Sequence, residues 1–266
     1  LIKVMGTSTC DIMISEKDVE IEVICGAFMD TVVPGFLGIE AGQSAVGDLF
    51  KWFLQSMVPS EFGDTDTERF VALTREAAKL SAGETGLVAL DWHNGNRTVL
   101  VDMDLNGLIV GQTLQTTAPE MFRALMEATA FGALTIIQRL ENAGVAVDGI
   151  VCCGGLAQKN PLLMQIYADV CNRPISTAGS LETCAKGAAI FAASAAELGS
   201  LDALREGMVG PVSHTYHPRP DAHKIYARLF SIYGRLHDAF GQPNGAVDLF
   251  NVMKDLNTIR REVRNA

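Results

Sequence analysis

The sequence predicts an α/β domain. Short apolar runs of strand length alternate with longer runs whose apolar residues recur at helical spacing, and glycine, proline and asparagine mark most junctions. Size is the third observation: 266 residues, 48% of them hydrophobic, suffice for one large core, although length alone also permits two small domains.

In chain order, Ile2–Met5 and residues 12–14 read as two short strands around Gly6-Thr7-Ser8-Thr9, and 21–25 can add a third before Pro34-Gly35 breaks the chain. A helix is predicted over 42–57, stopped by Pro59, with Val46, Leu49, Phe50, Phe53 and Met57 as its apolar stripe. Residues 65–80 form a second amphipathic helix, inside the polar stretch 56–83. Residues 86–90 read as a strand leading into Asp91-Trp92-His93-Asn94-Gly95-Asn96-Arg97, and 108–110 as a short apolar run between glycines. Thr117-Ala118-Pro119-Glu120 is a capping box that tolerates its early proline, and the helix it opens reaches Ala143 with Gly144 as the stop. Met121, Leu125, Ala128, Gly132 and Ile136 line one face of that helix and Phe122, Met126 and Ile137 widen it, so a central, largely buried position is expected.

Residues 149–153 form the next strand, Gly154-Gly155 turns it, and Asn160-Pro161 caps and opens a helix. Pro174-Ile175 begins another strand, and 180–199 is expected as one alanine-rich helix. Residues 222–240 are amphipathic through Tyr226, Leu229, Tyr233, Leu236 and Phe240, and Leu249, Val252, Met253, Leu256 and Val263 mark a last helix. The domain is therefore drawn over 1–245, with 246–266 as a C-terminal amphipathic helix.

A formal net charge of −10 disfavours nucleic-acid binding, and the basic cluster is confined to Arg260, Arg261 and Arg264. Those arginines could support a homodimer contact, docking on their own domain being the preferred reading. No apolar stretch approaches the ~20 residues that span a bilayer, and no signal peptide is expected. The cysteines form no CxxC pair, so zinc is not indicated and a reducing cytoplasm fits. His214 and His217 have metal-like spacing without acidic or thiol neighbours and read as surface residues, leaving no metal ligands.

Two turns can carry chemistry. Gly6-Thr7-Ser8-Thr9, between strands, offers N–H groups and hydroxyls to a phosphate, or is an ordinary glycine turn. Gly154-Gly155-Leu156-Ala157-Gln158-Lys159-Asn160, between a strand and a capped helix, lets a planar ring approach the backbone, or is an ordinary strand–turn–helix. Neither a GxxxxGK[ST] loop nor a GxGxxG opening a helix after a strand occurs.

Together these segments resemble the FGGY carbohydrate kinases of the actin-like ATPase superfamily, in which a Gly-Thr phosphate hairpin precedes a strand–Gly-Gly–helix adenosine motif. Gly107 to Gly111, Glu120-Met121 and Ala124 to Glu127 resemble the family's second signature, with departures at Gln112 and Leu125, and Glu182 to Ala189 resembles its small-residue helix. Longer strings are similar to the ribulokinase branch: Gly6-Thr7-Ser8-Thr9-Cys10-Asp11, Val33-Pro34-Gly35-Phe36 with Glu40-Ala41-Gly42-Gln43-Ser44-Ala45, and Leu90-Asp91-Trp92 with Asn94-Gly95 and Arg97-Thr98. The likeness fades after about Glu197.

The resemblance implies an actin-like ATPase (ribonuclease H-like) domain, a mixed sheet flanked by helices, and a role as the nucleotide side of a two-domain cleft. It implies Gly6, Thr7 and Ser8 at the γ-phosphate, Gly47 and Lys51 beside the nucleotide, Gly154, Gly155, Lys159 and Asn160 as the adenosine floor, and Glu40 toward the sugar. Arg97 and Asn94 would brace a loop. ATP and Mg²⁺ are the implied cofactors and L-ribulose the implied substrate, with D-ribulose, xylulose or a polyol as alternatives, and a non-catalytic nucleotide-binding or interaction domain as a further one. Leu1 lies inside an apolar run without an initiator Met, so the chain is expected to be a piece of a longer protein. The aspartate base and the Mg²⁺ loop would then precede Leu1, leaving this piece without turnover.

Overall fold

A computed structural model describes residues 1–17, 19–22, 24–243 and 252–265, the side chains of 252–254 excepted. The main sheet has strands β1 (Ile2–Met5), β2 (Thr9–Ser15), β3 (Gly26–Met29), β4 (Leu37–Ala41), β7 (Ile150–Cys153), β8 (Ile175–Thr177) and β9 (His214–Tyr216), in the order β3-β4-β2-β1-β7-β8-β9. β1 and β7 pair in parallel, as do β7 and β8; the other neighbours are antiparallel. β5 (Val88–Leu90) and β6 (Leu108–Val110) form a separate small ribbon.

The helices are α1 (Gly47–Ser56), α2 (Asp66–Ala77), α3 (Ala118–Asn142), α4 (Gly155–Lys159), α5 (Pro161–Cys171), α6 (Thr183–Ala195), α7 (Leu201–Met208), α8 (Pro220–Gly241) and α9 (Val252–Arg264). α3 is the centre of the molecule. Its capping box forms as read: Thr117 Oγ1 accepts from the Glu120 N–H at 3.4 Å, and the Thr117 N–H donates to Glu120 Oε2 at 2.8 Å. From Phe122 to Ala133 the helix is buried without a break, packed against α2, α5 and β5. Its buried Arg123 is fully engaged, donating to Glu127 Oε1 and to Tyr226 Oη, each at 2.9 Å, and to the Ala77 carbonyl. α9 docks on this domain, burying Leu256 and Ile259 and placing Arg264 Nη2 2.9 Å from Glu120 Oε1.

Several expectations are corrected. The third strand is Gly26–Met29 rather than 21–25; the described residues there form turn and bend, and residue 23 lies outside them. β4 was not expected. Gly38 and Glu40 alternate with its apolar residues in a short run, and it gains partners on both edges, Met13↔Ile39 with β2 and Ala27↔Ile39 with β3. α1 starts at Gly47 rather than 42, because residues 42–46 run along β2 and the tip that precedes it. The helix expected over 180–199 is shorter, α6 over Thr183–Ala195, and a separate helix follows it: Ser200 caps α7, its Oγ accepting from the Ala203 N–H at 3.3 Å. Along α6, Ile190 is the one buried residue. Leu249 and the 245/246 boundary lie outside the described residues, as do the side chains of Val252 and Met253.

Candidate functional site

The first segment of the site is the β1–β2 hairpin. Met5↔Thr9 closes the ladder, and Gly6, Thr7 and Ser8 form the tip, tightened by the Gly6 N–H donating to Ser8 O at 2.9 Å. Gly6 and Thr7 are exposed. The N-cap of α1, Val46, makes no side-chain cap. The hairpin caps the helix instead: Thr7 O accepts from the N–H groups of Val46 (2.8 Å) and Asp48 (3.1 Å), and Gly6 O from that of Gly47 (3.1 Å). With those carbonyls turned inward, the N–H groups of Thr7 and Ser8 take no protein partner among the described residues. Free adjacent N–H groups on an exposed turn are an anion cradle. Gly47 is required by this docking, since a Cβ there would strike Gly6 O and lie 3.1 Å from Gly6 C.

The second segment joins the first through the parallel pairing of β1 with β7, where Val4 opposes Cys153. The next residue, Gly154, has φ +94° and lies against the end of β1; a Cβ would strike Met5 O and lie 3.2 Å from Met5 N. Gly155 is the opposite case, exposed, with no atom within 4 Å of an added Cβ. The Gln158 amide donates to Ala178 O beyond β8, so the carboxyl ends of β1, β7 and β8 meet along one rim. Crevices outside the carboxyl ends of parallel strands are where open α/β sheets bind ligands.

Lys159 ends α4 with an exposed side chain, and Lys51, exposed, lies one turn beyond Gly47 on the same face of α1. Asn160 follows Lys159 as the N-cap of α5. It is fully buried, and its Oδ1 accepts from the Leu163 N–H at 3.0 Å, so it acts as the cap of α5. Glu40 is exposed on β4, away from the tip, and its Oε1 accepts from Cys10 Sγ at 3.3 Å. Burial, and then this carboxylate, push the Cys10 thiol up to about 11. Glu40 also lines a shallow concavity with Ile12, Cys25, Phe28 and Val32. Asp11 is buried opposite Lys3, with its two oxygens 2.6 and 2.8 Å from the ammonium. His214 is exposed on β9 and packs edge-on against Tyr216.

The model of the FGGY family of carbohydrate kinases, C-terminal domain, matches residues 1–196. The chain belongs to this family. It is 46% identical over 269 residues to a ribulokinase from Halalkalibacterium halodurans, covering 98% of the chain and 47% of that protein. It is 46% identical over 275 residues to one from Geobacillus thermodenitrificans, covering 100% and 48%. The chain thus spans about half the length of the curated relatives it matches. Among solved structures, a gluconate kinase from Lactobacillus acidophilus superposes with TM-score 0.74 at 22% identity, covering 93% of the chain and 48% of that structure. A xylulose kinase from Rhodospirillum rubrum gives 0.75 at 22%, covering 90% and 46%. The actin-like kinase fold read from the glycine turns is therefore the fold of this FGGY domain.

The FGGY domain also joins two sequence strings through Gln43 and Asp91, residues to which no role was assigned. Gln43, from the 40–45 string, donates through Nε2 to Asp91 Oδ2 at 2.7 Å, and Asp91 opens the second string. Arg97 donates to the Thr9 carbonyl, and Thr98 Oγ1 accepts from the Gly42 N–H at 3.1 Å. Arg97 therefore braces the base of the hairpin, in keeping with its expected bracing role. The available signal was that both strings are polar residues set among core residues; their contact, 48 positions apart, is a product of the fold.

Proposed function

We propose that this chain is the nucleotide side of an ATP-dependent sugar kinase, which in a polypeptide of the relatives' length phosphorylates the terminal hydroxyl of L-ribulose to give L-ribulose 5-phosphate. One observation carries the nucleotide part: the free N–H groups of Thr7 and Ser8 and the open backbone at Gly155 lie on adjacent parallel strand ends. The ribulokinase-named relatives support the substrate.

In this reading the tip holds the γ-phosphate through those N–H groups, with the exposed Thr7 side chain beside it. Gly154 and Gly155 lie under the adenosine, with Lys51, Lys159 and the Gly47 turn of α1 at its edges. Glu40 faces the sugar. Phosphoryl transfer needs positioned phosphates, charge neutralisation and a base on the attacking hydroxyl. Mg²⁺ bound with ATP supplies part of that neutralisation. In this reading the chain acts on the cation through the phosphates it orients. Asp11 is held in its ion pair with Lys3, and in this reading the base comes from a residue outside this chain.

The test is sugar-dependent ADP release by a protein of the relatives' length carrying this chain, with L-ribulose, D-ribulose and D-xylulose compared. Preference for L-ribulose supports the proposal. Preference for another sugar moves it to a different pentulose kinase, and nucleotide binding without turnover on any sugar makes this a binding domain.

A further inference from the structure

The tip of the hairpin is held by one short segment, residues 42–48. Its far end supplies the three N–H groups that bind Gly6 O and Thr7 O. Its near end grips Thr9: the Thr9 N–H donates to Gln43 O and the Gln43 N–H to Thr9 Oγ1, both at 3.0 Å. The Gln43 side chain enters the core, with Oε1 3.5 Å from Thr9 Oγ1. Nε2 uses its two protons on Asp91 Oδ2 (2.7 Å) and Thr129 O (2.8 Å), and Asp91 Oδ1 accepts from Tyr233 Oη at 3.1 Å. Two acceptors on one amide nitrogen determine which way the amide faces. Gly132 of α3 makes room for the pair: a Cβ there would lie 2.5 Å from Asp91 Oδ2 and 2.7 Å from Gln43 Nε2. Thr9, Gln43, Asp91 and Tyr233 are 0, 5, 6 and 1% exposed.

A buried carboxylate held by two neutral donors is a poor way to gain stability, and apolar replacements of such groups are often neutral or stabilising. The arrangement does give direction. We infer that Gln43 and Asp91 are positioning residues for the phosphate hairpin, tying the 42–48 segment to α3 and α8 so that the Thr7 and Ser8 N–H groups are presented in one orientation. This rests on the nucleotide reading only for what the hairpin binds.

The experiment compares wild-type chain with Gln43→Met, Thr9→Val and Asp91→Asn by hydrogen-exchange mass spectrometry and by calorimetric titration with ATP and with adenosine. Gln43→Met keeps the volume and removes the donors; Thr9→Val keeps the shape and removes the acceptor; Asp91→Asn keeps an acceptor for Gln43 and a partner for Tyr233. The expected result is exchange about ten-fold faster over residues 5–13 in Gln43→Met and Thr9→Val, with α5 and α8 unchanged. ATP affinity falls by a similar factor while adenosine affinity holds, and Asp91→Asn behaves as wild type in both readouts. If Gln43→Met does not fold, Thr9→Val carries the test. Exchange over 5–13 that stays at the wild-type rate, or that rises equally in every segment, overturns the positioning role. A wild-type chain that binds ATP no better than adenosine sinks the nucleotide reading instead, while the exchange data still decide the positioning.

Discussion

Replacing Gly47 by alanine puts one methyl group into the contact between the hairpin and α1. The added Cβ would strike Gly6 O and lie 3.1 Å from Gly6 C and 3.2 Å from Thr7 Cα. All three are backbone atoms, so no rotamer change relieves the clash. Restoring ordinary contact moves the tip by roughly an ångström. That displacement stretches the three bonds of 2.8–3.1 Å that cap α1 beyond the hydrogen-bonding range. At about 0.5–1.5 kcal/mol each the loss is about 1.5–4.5 kcal/mol. Alanine's helix preference returns at most ~1 kcal/mol. With that offset in full, the net destabilisation is about 0.5–3.5 kcal/mol, read by urea denaturation of the two chains. ATP affinity should fall further than adenosine affinity, because the tip moves while Gly154 and Gly155 stay. A Gly47→Ala chain with wild-type stability and wild-type preference for ATP would refute the capping geometry.

Three other outcomes follow from buried or half-buried groups. Lys3→Met leaves Asp11 buried and unpaired and should cost about 3–5 kcal/mol in urea denaturation, most of it recovered in the double variant Lys3→Met, Asp11→Leu. Cys10, held up to about 11 by burial and Glu40, should alkylate slowly with iodoacetamide at neutral pH and faster as pH climbs toward that value, and Glu40→Gln should speed it; mass spectrometry of the modified peptides reads both. Burial raises the Asp91 carboxyl above the usual range against the opposing pull of Gln43, Tyr233 and His237. Its contribution is thus fully present below the ordinary carboxylate value and is lost as pH rises through the folded-state value, at up to about 1.4 kcal/mol per pH unit. Asp91→Asn should remove that part of the slope, and denaturation at several pH values measures it.

What was legible in the sequence was local. Thr117 and Glu120 lie three residues apart, so the capping box of α3 could be read directly, and the stripe of Leu125, Ala128 and Ile136 indicated its central place. Gly154 was legible because a glycine after an apolar strand marks a backbone that a side chain would obstruct, here by Met5 O. β4 was overlooked although Leu37, Ile39 and Ala41 alternate with Gly38 and Glu40: the run is short, and pairing on both edges makes it a strand. Asn160 was read as both a cap and a nucleotide contact, and the cap was legible because the Asn-Pro pair opens a helix, its Oδ1 here accepting from the Leu163 N–H. The Gln43–Asp91 bond joins residues far apart in the chain, and neither shows its partner locally.

The central claim is that one rim of the sheet binds a nucleotide, phosphates at the hairpin and adenosine at the glycine turn. Amide chemical shifts of the labelled chain, titrated with ATP and then with adenosine, test it most directly. The expected result is that Thr7 and Ser8 shift with ATP alone, while Gly154 and Gly155 shift with both ligands. Thr7 and Ser8 amides that stay unmoved at saturating ATP would contradict it.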